Sequence, residues 1–348
     1  MKILILGVNG FIGNALTRRI LTSTGWEVYG LDMSTDKLQH SLGNPRFHFL
    51  EGDITINKEW IAYNIKKCDV VLPLVAIATP ASYVREPLRV FELDFEENLA
   101  IIRQCLKYGK RVVFPSTSEV YGMCPDAEFD EEASSLVLGP IHKERWIYSC
   151  AKQMLDRVIY AYGMHEGLRY TLFRPFNWIG PRLDSINTAK EGSSRVLTQF
   201  LYNIIMGEQI NLVDGGNQRR SFTYLEDGID CLMKIIENKD GCADGGIFNI
   251  GNPVNDLSVK ELAYRLRDLV KEYPHYRELA ERCRIVDVTS EDFYGSGYQD
   301  IITRVPSIKR AVEVLKWQPV TGIDDALRKT LDFYLVEEGE KIDQFLSA

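Results

Sequence analysis

Lys2-Ile3-Leu4-Ile5-Leu6-Gly7-Val8-Asn9-Gly10-Phe11-Ile12-Gly13 opens the chain and decides its fold class. Five residues of strand length, apolar after Lys2, run straight into three glycines spaced three apart. The pattern is that of a strand, a tight turn and a helix start. Gly7 lets the chain reverse, Gly10 carries no Cβ to hold a diphosphate off the backbone, and Gly13 lets the helix lie against the sheet. Phe11 and Ile12 then supply helix-opening amides that face an anion.

Working outward, a second strand at 27–31 ends in Asp32, at the spacing of an acid that accepts from both ribose hydroxyls. A carboxylate there repels a 2′-phosphate, so the turn is read as binding NAD rather than NADP. A third strand at 46–50 leads into Gly52-Asp53-Ile54, at the edge where an adenine lies, making Asp53 and Ile54 candidate cofactor contacts. A turn-capping acid is the alternative reading for Asp32 and for Asp53.

The totals narrow the classes. At 348 residues the chain suits one large or two smaller domains, and 45% hydrophobic with 26% charged residues is an ordinary globular composition. A net charge of −8 leaves no basic excess for nucleic acid. Seven dispersed cysteines without CxxC spacing point to neither a disulfide framework nor a metal site, so a reduced, cytoplasmic setting is expected. The chain enters its first strand with no signal peptide, and no apolar run is long enough to span a bilayer, so no membrane partner is expected.

Further on, 57–67 reads as a helix and 69–74 as a buried parallel strand, followed by Ala76-Ile77-Ala78-Thr79-Pro80. Such small side chains at a strand's carboxyl end leave room for a ligand, which makes Ala76 a cofactor contact and Ala78 a substrate contact. Helical periodicity over 86–108 predicts a long helix, mostly core, part of which pairs with a second subunit. A fifth strand at 111–114 ends in Pro115-Ser116-Thr117-Ser118-Glu119-Val120-Tyr121-Gly122, a polar shelf facing the glycine turn. Then comes Tyr148-Ser149-Cys150-Ala151-Lys152, whose ends share a helix face. A cation beside a phenol lowers the phenol's pKa towards that of a usable base.

The glycine turn, the Ser/Thr shelf and YxxxK together resemble the extended short-chain dehydrogenase/reductase family. The family's crossing between lobes is matched by Arg174-Pro175-Phe176-Asn177 and its closing segment by Pro306-Ser307-Ile308 through Trp317-Gln318-Pro319. This implies an α/β fold, a Rossmann doubly wound parallel sheet with a smaller C-terminal substrate-binding lobe. The NAD-binding domain is placed at 1–176, with 222–250 returning to it, and the substrate lobe at 177–348.

Within the family, four runs closely resemble the UDP-glucuronic acid decarboxylase domains of bifunctional polymyxin-resistance proteins. They are Gly180-Pro181-Arg182-Leu183-Asp184, Gly192-Ser193-Ser194-Arg195, Asp214-Gly215-Gly216 and Tyr294-Gly295-Ser296-Gly297-Tyr298-Gln299-Asp300, and the run Val71-Leu72-Pro73-Leu74-Val75-Ala76-Ile77-Ala78-Thr79-Pro80 resembles those domains too. Those proteins carry a formyltransferase domain ahead of this one, and transformylation is not expected of this chain. The resemblance implies that Tyr148 and Lys152, both also cofactor contacts, act at the 4-hydroxyl of UDP-glucuronic acid while Thr117 and Ser118 hold its oxygen. It makes Glu119 and Arg304 the candidates for reprotonating C5, with Glu119 the better acid. Substrate contacts carried over are Tyr83, Arg145, Asn177, Arg195, Asn211, Leu212, Val213, Arg220 and Tyr298; the backbone of Leu212 and Val213 suits a uracil edge, and Arg220 a diphosphate. No metal is expected, and a homodimer or higher homo-oligomer is. The product is either UDP-4-keto-pentose with NADH or, after onward reduction, UDP-xylose. A nucleotide-sugar epimerase or dehydratase, or a non-catalytic dinucleotide-sensing protein, are the competing readings.

Overall fold

A computed structural model describes residues 1–295, 298–339 and 342. Its centre is a seven-stranded parallel sheet. In chain order the first six strands are β1 (Lys2–Leu6), β2 (Glu27–Asp32), β3 (Phe47–Glu51), β4 (Val70–Pro73), β5 (Arg111–Pro115) and β6 (Tyr170–Pro175). They lie side by side as β3-β2-β1-β4-β5-β6, and Ile247–Ile250 adds the last edge. The order reverses beside β1, which places a crevice outside the carboxyl ends of β1 and β4.

Register keeps those ends level. Leu6 pairs with Leu31 on one side and Pro73 on the other, while Pro115 pairs with Phe173. Gly7, Asp32, Leu74 and Ser116 therefore leave the sheet along one rim. β1 and β4 are buried on both faces, as continuous apolar runs of a covered parallel sheet should be. Helix α1 (Phe11–Ser23) packs over that sheet with the Leu225–Glu237 helix.

Two of the three large cores among the described residues flank the rim from different directions, the third lying on the other face of the sheet. The first joins β1 and β2 to Leu225, Ile229, Phe248, Ala311, Leu315 and Trp317. The second gathers the helices Val196–Ile205, Val259–Val270 and Ile323–Asp332 over the strand Ile210–Val213. The chain thus returns to the first core at 225–250 and again at 311–317. Among the described residues, no helix is long and apolar enough to cross a membrane.

One element departs from sequence expectation. The segment predicted as a single helix over 86–108 is instead helical at Pro87–Phe91, widens into a π-turn at Glu92–Glu97, and resumes as an α-helix at Asn98–Lys107.

Candidate active site

The rim and the second lobe enclose a cavity of about 580 Å³. Its cofactor end is made by backbone. Gly7 adopts a φ of +86°, and a Cβ there would sit 3.1 Å from the Leu74 carbonyl carbon and the Val75 nitrogen. A Cβ on Gly13 would overlap the Gly7 carbonyl oxygen. Gly10, Phe11 and Ile12 line the same wall. At the end of β2, Asp32 accepts the amides of Asn9 and Met33, both at 2.8 Å. Burial pushes the Asp32 carboxyl up, while those amides pull it down. A glycine-lined cradle at a helix start with a fixed carboxylate beyond it fits the diphosphate and ribose of NAD.

Asp53 and Ile54 stand away from the cavity lining. Asp53 Oδ1 accepts the Thr55 amide and hydroxyl, both at 2.8 Å, and these bonds lower its carboxyl. Ile54 packs into the core under β1. Ala76, Ala78 and Tyr83 all line the cavity.

Strand β5 ends at Pro115, and a tight turn, Ser118–Tyr121, follows it. Thr117 caps that turn, its Oγ1 accepting the Glu119 amide at 3.2 Å. Opposite lies the Trp146–Glu166 helix, which buries Tyr148 and Lys152 four residues apart on one face. The Tyr148 ring stacks on Tyr83 with centroids 4.7 Å apart. Lys152 Nζ donates to the Pro115 carbonyl at 3.2 Å and stands 3.9 Å from Asp94. Here the electrostatics reverse the sequence expectation. Burial, then the charges of Asp94 and Glu119, push the Tyr148 phenol well above the usual tyrosine range, against hydrogen bonding to Thr117. Burial also lowers Lys152, with Asp94 and Asp156 opposing. The ammonium sits 5.9 Å from the phenol ring centroid, and its charge is shared with buried carboxylates before it reaches the phenol.

Beyond Tyr148 the site is made of charged side chains. Arg304 Nη1 donates to Glu119 Oε1 at 3.2 Å, and Arg145 Nη1 lies 3.2 Å from Glu119 Oε2. Both arginines are largely buried, and Arg145 Nε and Arg304 Nε have no hydrogen-bond partner among the described residues. Burial and neighbouring Arg220 bring Arg304 down to about 10. Burial works against Arg145 too, but Glu119, Tyr298 and Asp300 outweigh it and raise its pKa. Arg220 donates to Asp300 and to the Ile301 carbonyl, both at 2.7 Å, so most of its fork is engaged within the protein. Tyr298 stacks on Tyr294 at 4.0 Å. Ser296 and Gly297 of that motif lie outside the described residues.

Asn177 lines the cavity with a φ of +38°, a left-handed conformation that asparagine tolerates better than most residues. Arg195 is bound by Asp184, with Nε and Nη2 at 3.0 and 2.8 Å from Oδ1, and lies 5.0 Å over the Phe11 ring. Asn211 and Val213 line the cavity, whereas the Leu212 side chain is in the second core. Ile210 donates to the Arg284 carbonyl, so by alternation Leu212's peptide groups face the Ile285–Val288 strand and those of Asn211 and Val213 face away.

Among the cavity residues not picked out from sequence are Phe293, Tyr294, Asp184 and Asp300. All but Phe293 stood inside quoted motifs, but nothing in those motifs says that an acid answers Arg195 or Arg220. Asp94 was missed as well, although its signal was legible. Asp94 and Asn98 recur on the same helical stripe as the apolar Val90, Ile101 and Cys105.

The model of the NAD dependent epimerase/dehydratase family matches residues 3–251. Among solved structures, the chain is similar to the PbgP3 protein from Burkholderia pseudomallei, with 60% identity, a TM-score of 0.88 and 96% of each chain covered. Likeness in fold extends to UDP-glucose 4-epimerase from Thermotoga maritima, at 23% identity and a TM-score of 0.77, covering 96% of this chain and 98% of that one. It extends also to UDP-glucuronic acid 4-epimerase from Bacillus cereus, at 20% identity and a TM-score of 0.79, again covering 96% and 98%.

Proposed function

Because the chain belongs to the NAD dependent epimerase/dehydratase family, we propose that it oxidises UDP-glucuronic acid at C4 and removes its C5 carboxyl group. The products are UDP-4-keto-pentose, carbon dioxide and NADH. The observation that carries this reading is the hold of Arg145 and Arg304 on one carboxylate in the cavity that Tyr148 lines. Two buried guanidiniums beside a single carboxylate leave a positive excess, which suits a ligand carboxylate and which a neutral hexose does not balance.

NAD is the cofactor, and when bound it supplies the hydride acceptor and a positive charge opposing those of Asp94 and Glu119. As the phenolate, which the positive charge of bound NAD would favour, Tyr148 takes the 4-hydroxyl proton as hydride leaves C4, while Thr117 and Ser118 hold the oxygen. The resulting ketone is β to the carboxylate. When the bond from C5 to the carboxyl carbon breaks, its electron pair enters that carbonyl and carbon dioxide leaves. Tyr148 and the two hydroxyls then donate to the enolate oxygen. A phenol whose pKa is pushed up by burial is well suited to that donation.

The C5 proton comes from the Glu119–Arg304 pair acting as a unit. The two are hydrogen bonded at 3.2 Å, which lets Arg304 orient Glu119, the better acid of the pair. Asn177, Asn211, Val213 and Tyr298 hold the nucleotide side, with Arg195 and Arg220 fixed beside them by their own carboxylates.

Following NADH absorbance together with sugar products tests this directly. Stoichiometric NADH marks release of the keto-pentose, and UDP-xylose without NADH marks return of the hydride. A product that keeps every carbon of UDP-glucuronate, as in epimerisation, overturns the decarboxylase reading. NAD binding with no turnover of any UDP-sugar overturns the catalytic one. Met154, Tyr160 and Met164 stand exposed on the Trp146–Glu166 helix and support pairing with a second copy there, which light scattering checks.

A further inference from the structure

Behind the cavity wall, the π-turn Glu92–Glu97 places a carboxylate where none is expected. Asp94 is fully buried and is not part of the cavity lining. Its Oδ2 accepts the Ile77 amide at 3.1 Å. Its Oδ1 lies 3.9 Å from Lys152 Nζ and has no hydrogen-bond partner among the described residues. One turn on, Asn98 donates to the Val75 carbonyl at 3.4 Å and to the Asp94 carbonyl at 3.3 Å. The widened turn therefore joins two things, the exit of β4 at residues 75–77 and the Lys152 ammonium. π-turns occur mostly at functional sites, where a regular helix would aim a side chain elsewhere. A buried carboxylate is costly unless it is paired, and Lys152 is the partner within reach.

We propose that Asp94 is a positioning residue for the Tyr148–Lys152 pair: its carboxylate keeps the Lys152 ammonium charged and anchors residues 75–77 behind it. The kinetic consequence rests on the roles given above to Tyr148 and Lys152; the electrostatic one does not.

The groups that face this pair are few. Lys152 faces Asp94 and, from its own helix, Asp156. Tyr148 faces Asp94, Glu119 and Arg304. Tyr83 faces Glu119, Tyr148, Arg145 and Asp94. Burial raises the Asp94 carboxyl to about 6 while Lys152 and the Ile77 amide pull it down. Since the Asp94 charge raises both Lys152 and Tyr148, removing it lowers both.

The test is an NMR titration of the full chain carrying labelled lysine, with the Lys152 signal assigned by its loss in Lys152→Met. Asp94→Asn keeps an acceptor for the Ile77 amide and removes the charge. The Lys152 midpoint is expected to fall by about one pH unit or more, tenfold in its ionisation constant. An unmoved midpoint overturns the proposal. The pair is also read from the other side, in a chain that keeps Asp94. Lys152→Met should raise the Asp94 carboxyl midpoint, and no change again overturns it. Neither readout needs a substrate, so failure of UDP-glucuronate turnover leaves the result legible. With whichever UDP-sugar the wild type oxidises, Asp94→Asn should move the whole pH–rate profile to lower pH with NAD affinity unchanged. A slower rate on an unmoved profile would mean that Asp94 only braces the loop.

Discussion

The glycine turn after β1 and the charged cluster around Glu119 face one cavity and are held by opposite means. At the turn, shape is fixed by backbone: Gly7 at φ +86°, and Gly13 pressed against the Gly7 carbonyl. At the cluster, shape is fixed by charge: Arg145 and Arg304 each stand 3.2 Å from Glu119, and Arg220 stands 2.7 Å from Asp300. The first comes from seven consecutive residues, the second from segments far apart in the chain. A dinucleotide wall has to be rigid and local, whereas the proposed loss of a carboxyl group needs a site that balances changing charge.

Substitutions that break one region and spare the other sharpen that contrast. The largest effect is expected at their meeting point. Tyr148→Phe should slow single-turnover oxidation by about a thousandfold, within the range of a lost acid–base group, while NAD affinity, read by calorimetry, stays within a few-fold. On the charged side, Glu119→Gln should cost on the order of a hundredfold in turnover with NAD binding spared. Equal activity of this variant and wild type would remove Glu119 from the mechanism. On the backbone side, Gly7→Ala forces a side chain into a left-handed conformation, a cost of about 1–2 kcal/mol. It should weaken NAD roughly tenfold and leave the proposed preference for an acidic sugar unchanged.

The last expected effect is on stability. The folded Asp94 carboxyl is raised to about 6, so the folded chain holds more protons than the unfolded one between the usual aspartate value and that point. Its contribution to stability is therefore lost as pH rises through that window. Asp94→Asn should gain on wild type between pH 4 and pH 8 by on the order of 2 kcal/mol in paired melts. A constant difference across that range would mean that Asp94 is not raised.

The same contrast explains what could be read from sequence. The glycine turn, Asp32 and the Tyr148–Lys152 spacing were legible because period and turn chemistry act within a few residues. The strands read at 2–6, 27–31, 46–50, 69–74 and 111–114 all stand in the sheet for the same reason, whereas the Tyr170–Pro175 strand went unread. The return of Ala311, Leu315 and Trp317 to the first core was not legible, because an amphipathic segment does not name the core it joins. Arg304 and Arg145 could be proposed only through resemblance, since no local pattern says that both close on Glu119. The expectation that Lys152 acidifies Tyr148 missed first because burial raises the phenol, which a residue spacing does not report, and then because the Asp94 charge arrives from a helix about fifty residues earlier through a π-turn.

The most direct measurement of the central claim uses UDP-glucuronic acid labelled with 13C at the carboxyl carbon, incubated with the protein and NAD and followed by NMR. The account predicts labelled carbon dioxide or bicarbonate in step with a five-carbon UDP-sugar. Label that stays on a six-carbon UDP-sugar would contradict it.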